Sequence, residues 1–169
     1  MLRALALAAL LVGCGEGVEL DALELAAVAQ PVTAETLGFA VAGEGAAELA
    51  GAVLARWERA TCLDLRVTAD GPHKVMLTEQ GFSARTRAGQ TTGTWEAAEI
   101  RVRPSLTEWQ RSVVLTHELG HLLMLSNDHQ PRSVVSEADG FAPENQSISS
   151  TLLARICRVR DCGCFAPES

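Results

Sequence analysis

The chain has 169 residues, of which 14 are basic and 21 acidic, for a formal net charge of −7. That balance, with no basic stripe along the sequence, excludes the electrostatic footprint of a nucleic-acid binder. The length suits one domain of ordinary size with a real hydrophobic core, and nothing in the pattern suggests a second.

At the N-terminus Met1-Leu2-Arg3 leads into an apolar run from Ala4 to Val12, then Gly13-Cys14. The run is too short to span a bilayer and fits the apolar region of a secretory signal peptide. Leu11-Val12-Gly13-Cys14 resembles the lipobox of bacterial lipoproteins. The resemblance implies cleavage before Cys14, acylation of that cysteine and anchoring to the membrane through its acyl chains. Gly15 at the next position implies, by the same resemblance, the outer membrane of the bacterial cell envelope. The expected division is a signal peptide over residues 1–13, a lipidated tether over 14–32 that is acidic and rich in alanine, and one domain over 33–169.

With Cys14 acylated, Cys62, Cys157, Cys162 and Cys164 remain as an even set in an exported protein, which predicts two disulfides. Three connectivities are open. The spacing Cys162-Gly163-Cys164 disfavours a bridge between those two, so Cys62 is expected to be tied to the C-terminal cluster. A cysteine metal site is the rival reading.

Apolar residues Leu49, Val53, Leu54 and Trp57 recur at three- and four-residue intervals, which predicts an amphipathic helix between Glu44 and Thr61. Residues 63–67 alternate as a half-buried strand does. His73 follows Gly71-Pro72 in a turn and reads as a surface residue; residues 74–78 read as a second strand. Residues 81–93 are polar and punctuated by glycine, which marks a loop. Thr94-Trp95 and residues 99–103 read as further strand material. Ser105 with Glu108 three residues on forms a capping box, which predicts a helix from residue 106 to about 125. A loop over 140–145 and a last helix over 149–159, with Leu152, Leu153 and Ile156 on its apolar face, complete the pattern.

The long helix carries Thr116-His117-Glu118-Leu119-Gly120-His121. Residues i and i+4 of a helix share a face about 5–6 Å apart, so both imidazoles can converge on one ion. Zinc (Zn2+) is the cofactor this pattern calls for: catalytic zinc takes three protein ligands and keeps a position open for water. Glu118 sits where it can serve as general base.

In the order of these motifs the chain resembles the metzincin zinc metallopeptidases, most closely the small matrixin-like members of bacteria. Arg56-Trp57-Glu58, residues 99–104, His117 to His121 and residues 152–159 carry the likeness, which covers about residues 36–159. Asp128 to Val135 resembles the family's polar run of Pro, any residue, Ser, Ile or Val, then Met. The resemblance implies an α+β fold: a twisted mixed sheet with a backing helix and a zinc-site helix, and a small C-terminal subdomain with a last helix. It also implies hydrolysis of a peptide or protein substrate. No nucleic-acid partner is expected, and a monomer is.

Three departures stand out. Met124 and Asn127 occupy the places of the family's glycine and third histidine, and Val135 that of its turn methionine. Methionine leaves a helix with positive φ poorly, whereas asparagine tolerates that backbone. The helix is therefore expected to run about one turn further and end near Asn127. That brings His129, the first choice for third ligand, or Asp128 toward the metal; the Asn127 amide is a poor ligand, and a site with no third protein ligand stays open. The competing functional reading is a degenerate relative acting as a non-catalytic zinc-binding surface lipoprotein.

Overall fold

The computed structural model describes residues 10–12, 36–82, 88–94, 96–124, 147–160 and 162. In chain order its elements are β1 (Leu10–Val12), β2 (Leu37–Ala42), α1 (Ala46–Thr61), β3 (Leu65–Val67), β4 (His73–Leu77), β5 (Gly89–Gly93), β6 (Ala98–Val102), α2 (Glu108–Met124) and α3 (Ser150–Val159). The fold is α+β. Strands β2 to β6 form a mixed sheet, and the short β1 extends it at one end to give the order β1-β5-β6-β4-β2-β3.

Strands β3, β2, β4 and β6 run parallel, while β5 runs antiparallel to β6 and β1 antiparallel to β5. Parallel neighbours need crossover connections, and α1 supplies the one from β2 to β3. Register aligns Val41 with Val75, Val75 with Ile100, and Ile100 with Thr91, one row across four strands. Val75, Ile100 and Thr91 in that row are buried. The period of two along a strand brings His73, Ala98, Val102 and Gly89 to the same face.

Helices α1 and α2 lie side by side against the sheet: α1 packs on β2, β3 and β4, and α2 on β5 and β6. Phe39, Leu54, Trp57, Leu115, Leu119, Leu123, Leu152 and Ile156 join a single core cluster. Each such side chain contributes about 1.5–3 kcal/mol on burial. Helix α1 ends at Cys62, whose left-handed backbone (φ 56°) turns the chain while its N–H donates to the Glu58 carbonyl at 2.7 Å.

Several sequence expectations are corrected here. Strand β2, inside the parallel array, lies in a stretch where the sequence pattern marked no element. The glycine-punctuated loop contains β5, which begins at Gly89, and Thr94 is not strand: its N–H closes a turn onto the Ala97 carbonyl at 3.0 Å, while Trp95 lies outside the described residues. His73 is not on the surface. It opens β4 at 2 % exposure, with its ring 5.1 Å from that of Phe39 and its Nδ1 accepting from the Ala98 N–H at 3.3 Å. The Gly71-Pro72 turn directs the chain into the sheet rather than across its surface.

Candidate metal centre

Helix α2 starts two residues later than the capping box at Ser105 predicts. Thr107 is the cap: its Oγ1 accepts from the Gln110 N–H at 3.3 Å, and Gln110 Oε1 accepts from the Thr107 N–H at 3.0 Å. This is the reciprocal box of that motif with glutamine in the return position. Ser105 instead donates its N–H to Glu79 Oε1 at 3.3 Å, and Glu79 Oε2 accepts from Arg103 at 2.8 Å. From Val113 to Met124 only His117 escapes full burial. The indole of Trp57 donates to the Thr116 carbonyl at 3.3 Å, which ties α1 to the turn that carries the first histidine.

His117 and His121 present their Nε2 atoms to one another at 3.0 Å, with ring centroids 4.7 Å apart and planes at 76°. Two nitrogens sharing a tetrahedral zinc at the usual bond length lie about 3.3 Å apart. The pair therefore fits a common ion with a shift of a few tenths of an ångström. His121 is 3 % exposed and His117 half-buried, so one side of the pair faces protein and the other is open to approach. Among the described residues no set of three or more His, Cys, Asp or Glu side chains is gathered for a metal. A full ligand set would draw on residues beyond them. The expected third ligands His129 and Asp128, with Asn127, Val135 and the acylation site Cys14, all lie outside the described residues.

Glu118 is 2 % exposed. Its Oε2 accepts from the Thr91 hydroxyl on β5 at 2.7 Å, and the same hydroxyl lies 3.3 Å from the Glu118 carbonyl. Its other face packs on Gly89, where a Cβ would stand 2.3 Å from Val114 Cγ1 and 3.0 Å from Glu118 Oε1. Any side chain at position 89 would displace the carboxylate or Val114. Burial pushes the Glu118 carboxyl up to about 7, and the Thr91 hydrogen bonds pull the other way.

At the far end of α2, Met124 is helical and buried, so the helix includes the position where the resembled family has glycine; the expected exit near Asn127 lies outside the described residues. The last carbonyls are met by Arg160, whose Nε donates to Leu123 O at 3.2 Å and Nη2 to Leu122 O at 3.0 Å. Arg160 is 4 % exposed, and burial lowers its pKa to about 9, which leaves it charged at neutral pH. A cation at a helix C-terminus also opposes the negative end of the helix dipole. The Cys157–Cys162 disulfide brackets it. Cys62 is disulfide-bonded too, and the cysteines left to it, Cys14 and Cys164, lie outside the described residues.

No motif or periodicity in the sequence marks Gly89, Thr91 or Arg160 as part of the site. Gly-Gln-Thr-Thr-Gly offers two β-branched residues between glycines, too weak a strand signal to show that Thr91 faces inward. Arg160 follows a helix in a run of charges and resembles any solvated arginine. Among the described residues no helix is long and apolar enough to cross a membrane. No protein-family model, no curated protein and no solved structure matches this chain.

Proposed function

We propose that this chain is a zinc-dependent metalloendopeptidase of metzincin type, exported as a lipoprotein to the bacterial cell envelope. The observation that carries the reading is the convergence of His117 and His121 Nε2 at 3.0 Å, with Glu118 between them on the same helix. His117 and His121 would hold the zinc ion, with His129 or Asp128 as third ligand. Bound zinc supplies Lewis-acid chemistry: it polarises a carbonyl and lowers the pKa of water from about 15.7 toward 7. The Glu118 carboxylate takes the proton of the attacking water and hands it to the nitrogen of the departing amine. Its burial keeps bulk water from competing for that proton.

Strand β5 gives the substrate a place to lie. Leu10–Val12 pair antiparallel with it in the full chain, and cleavage before Cys14 would leave that edge to an extended peptide by strand addition.

A second reading is a non-catalytic zinc-binding surface lipoprotein. Met124 favours it, because a buried helical methionine replaces the family's exit glycine. Zinc stoichiometry and cleavage of a broad peptide library, on wild type and Glu118→Ala, separate the two. The peptidase reading expects zinc on both proteins and cleavage by wild type alone; one zinc without cleavage by either would establish the second reading. A chain that takes up no zinc would end both.

A further inference from the structure

We infer that Thr91 is a positioning residue for the Glu118 carboxylate, and that it leaves Oε1 as the oxygen for proton transfer; this rests on the peptidase reading above. Thr91 interrupts an otherwise apolar row. Its register partners across the sheet are Ile100, then Val75, then Val41, and the residue is 4 % exposed. A hydroxyl at such a place is unfavourable unless it finds a partner. The partner it finds is Glu118.

Geometry divides the labour between the two carboxylate oxygens. The hydroxyl has one proton to give, and at 2.7 Å Oε2 is a better acceptor than the Glu118 carbonyl at 3.3 Å. With Oε2 engaged, rotation of the carboxylate is restrained and Oε1 retains its lone pairs. Gly89, two residues back on the same face of β5, provides the space: Oε1 lies where a side chain at that position would intrude. The Gly-x-Thr spacing of 89 and 91 thus forms a seat, with a hydroxyl holding one oxygen and a bare backbone clearing the other. A side chain held in one orientation does not have to be reoriented during reaction, so loss of the hold should appear in kcat rather than in substrate affinity.

The test uses the full chain with Thr91→Val, which keeps the shape and removes the hydroxyl, and Thr91→Ser, which keeps the hydroxyl. Zinc content and turnover of a fluorogenic peptide library are measured well below the unfolding temperature. The expected result is unchanged zinc content, kcat lower by roughly tenfold in Thr91→Val with KM little changed, and recovery of most of that loss in Thr91→Ser. A purely structural threonine would leave kcat per folded, zinc-loaded molecule unaltered, and that outcome overturns the proposal.

A second measurement needs no activity. Urea unfolding in chelator compares wild type, Thr91→Val, Glu118→Met and the double variant. Coupling of about fivefold in the unfolding equilibrium constant is expected from a buried hydrogen bond; additive effects overturn the proposal while leaving the peptidase reading standing. If coupling is found but wild type cleaves nothing, the peptidase reading falls and Thr91 loses its catalytic role with it.

Discussion

The indole N–H of Trp57 donates to the carbonyl of Thr116, a bond that joins α1 to the residue immediately before His117. Trp57 is fully buried, so it holds the motif helix by both packing and polarity. Trp57→Phe removes the donor and part of the volume and should cost about 1–2 kcal/mol, whereas Trp57→Ala should cost about 3–5 kcal/mol. Urea denaturation with the zinc removed measures both. Equal stability of wild type and the phenylalanine variant would show that the bond contributes nothing.

For the histidine pair, the expected outcome is metal-dependent stability. Zinc added in excess over its dissociation constant stabilises only the folded chain, by about 2.7 kcal/mol at a hundredfold excess, so chelation should lower the melting temperature of wild type. His121→Ala should lose zinc affinity by two orders of magnitude or more and become insensitive to chelator. A melting temperature indifferent to zinc in the wild-type protein contradicts a metal at this pair.

Arg160 seals the C-terminal end of the same helix through Leu122 O and Leu123 O. Removing a buried charge can stabilise a protein when nothing depends on it. Here two terminal carbonyls lose charged donors, each such bond contributing about 1.5–3 kcal/mol, and we expect the loss to dominate. Arg160→Met should be less stable by about 2 kcal/mol, with amide exchange accelerated first in the last turn of α2. A variant as stable as wild type, with unchanged exchange there, would reverse that ranking.

His73 sets a pH dependence of known sign. Burial, then the charge of Arg160, lowers its pKa from 6.5 to about 4. The unfolded chain therefore takes up this proton first as the pH falls. The contribution to stability is complete above about 6.5 and disappears as the pH drops toward 4, on the order of 2–3 kcal/mol. His73→Gln retains an acceptor for the Ala98 N–H and removes the titration. Between pH 7 and pH 4 it should lose less stability than wild type; parallel curves would mean that His73 is not buried as a neutral ring.

The three helices were legible from one-dimensional pattern, because a period near 3.6 and a cap are local properties. Glu44 to Thr61 against the observed Ala46–Thr61, and residues 149–159 against Ser150–Val159, differ only at the ends. The start of α2 is ambiguous in the sequence, since Ser105…Glu108 and Thr107…Gln110 both satisfy the motif, and the fold selects the second by engaging the Ser105 N–H with Glu79. Strands β3, β4 and β6 fall within a residue or two of the alternating runs at 63–67, 74–78 and 99–103, whereas β5, Gly89-Gln90-Thr91-Thr92-Gly93, carries no such alternation and is a strand through its pairing with β6.

Two imidazoles one turn apart with a carboxylate between them follow from residue order alone, because i and i+4 share a helix face in any context. What surrounds them comes from packing: Thr91 and Gly89 lie against Glu118, Arg160 binds the carbonyls of Leu122 and Leu123, and His73 is buried beside Phe39. Those contacts join residues tens of positions apart through sheet register and helix packing. Register is a property of paired strands that no single strand contains.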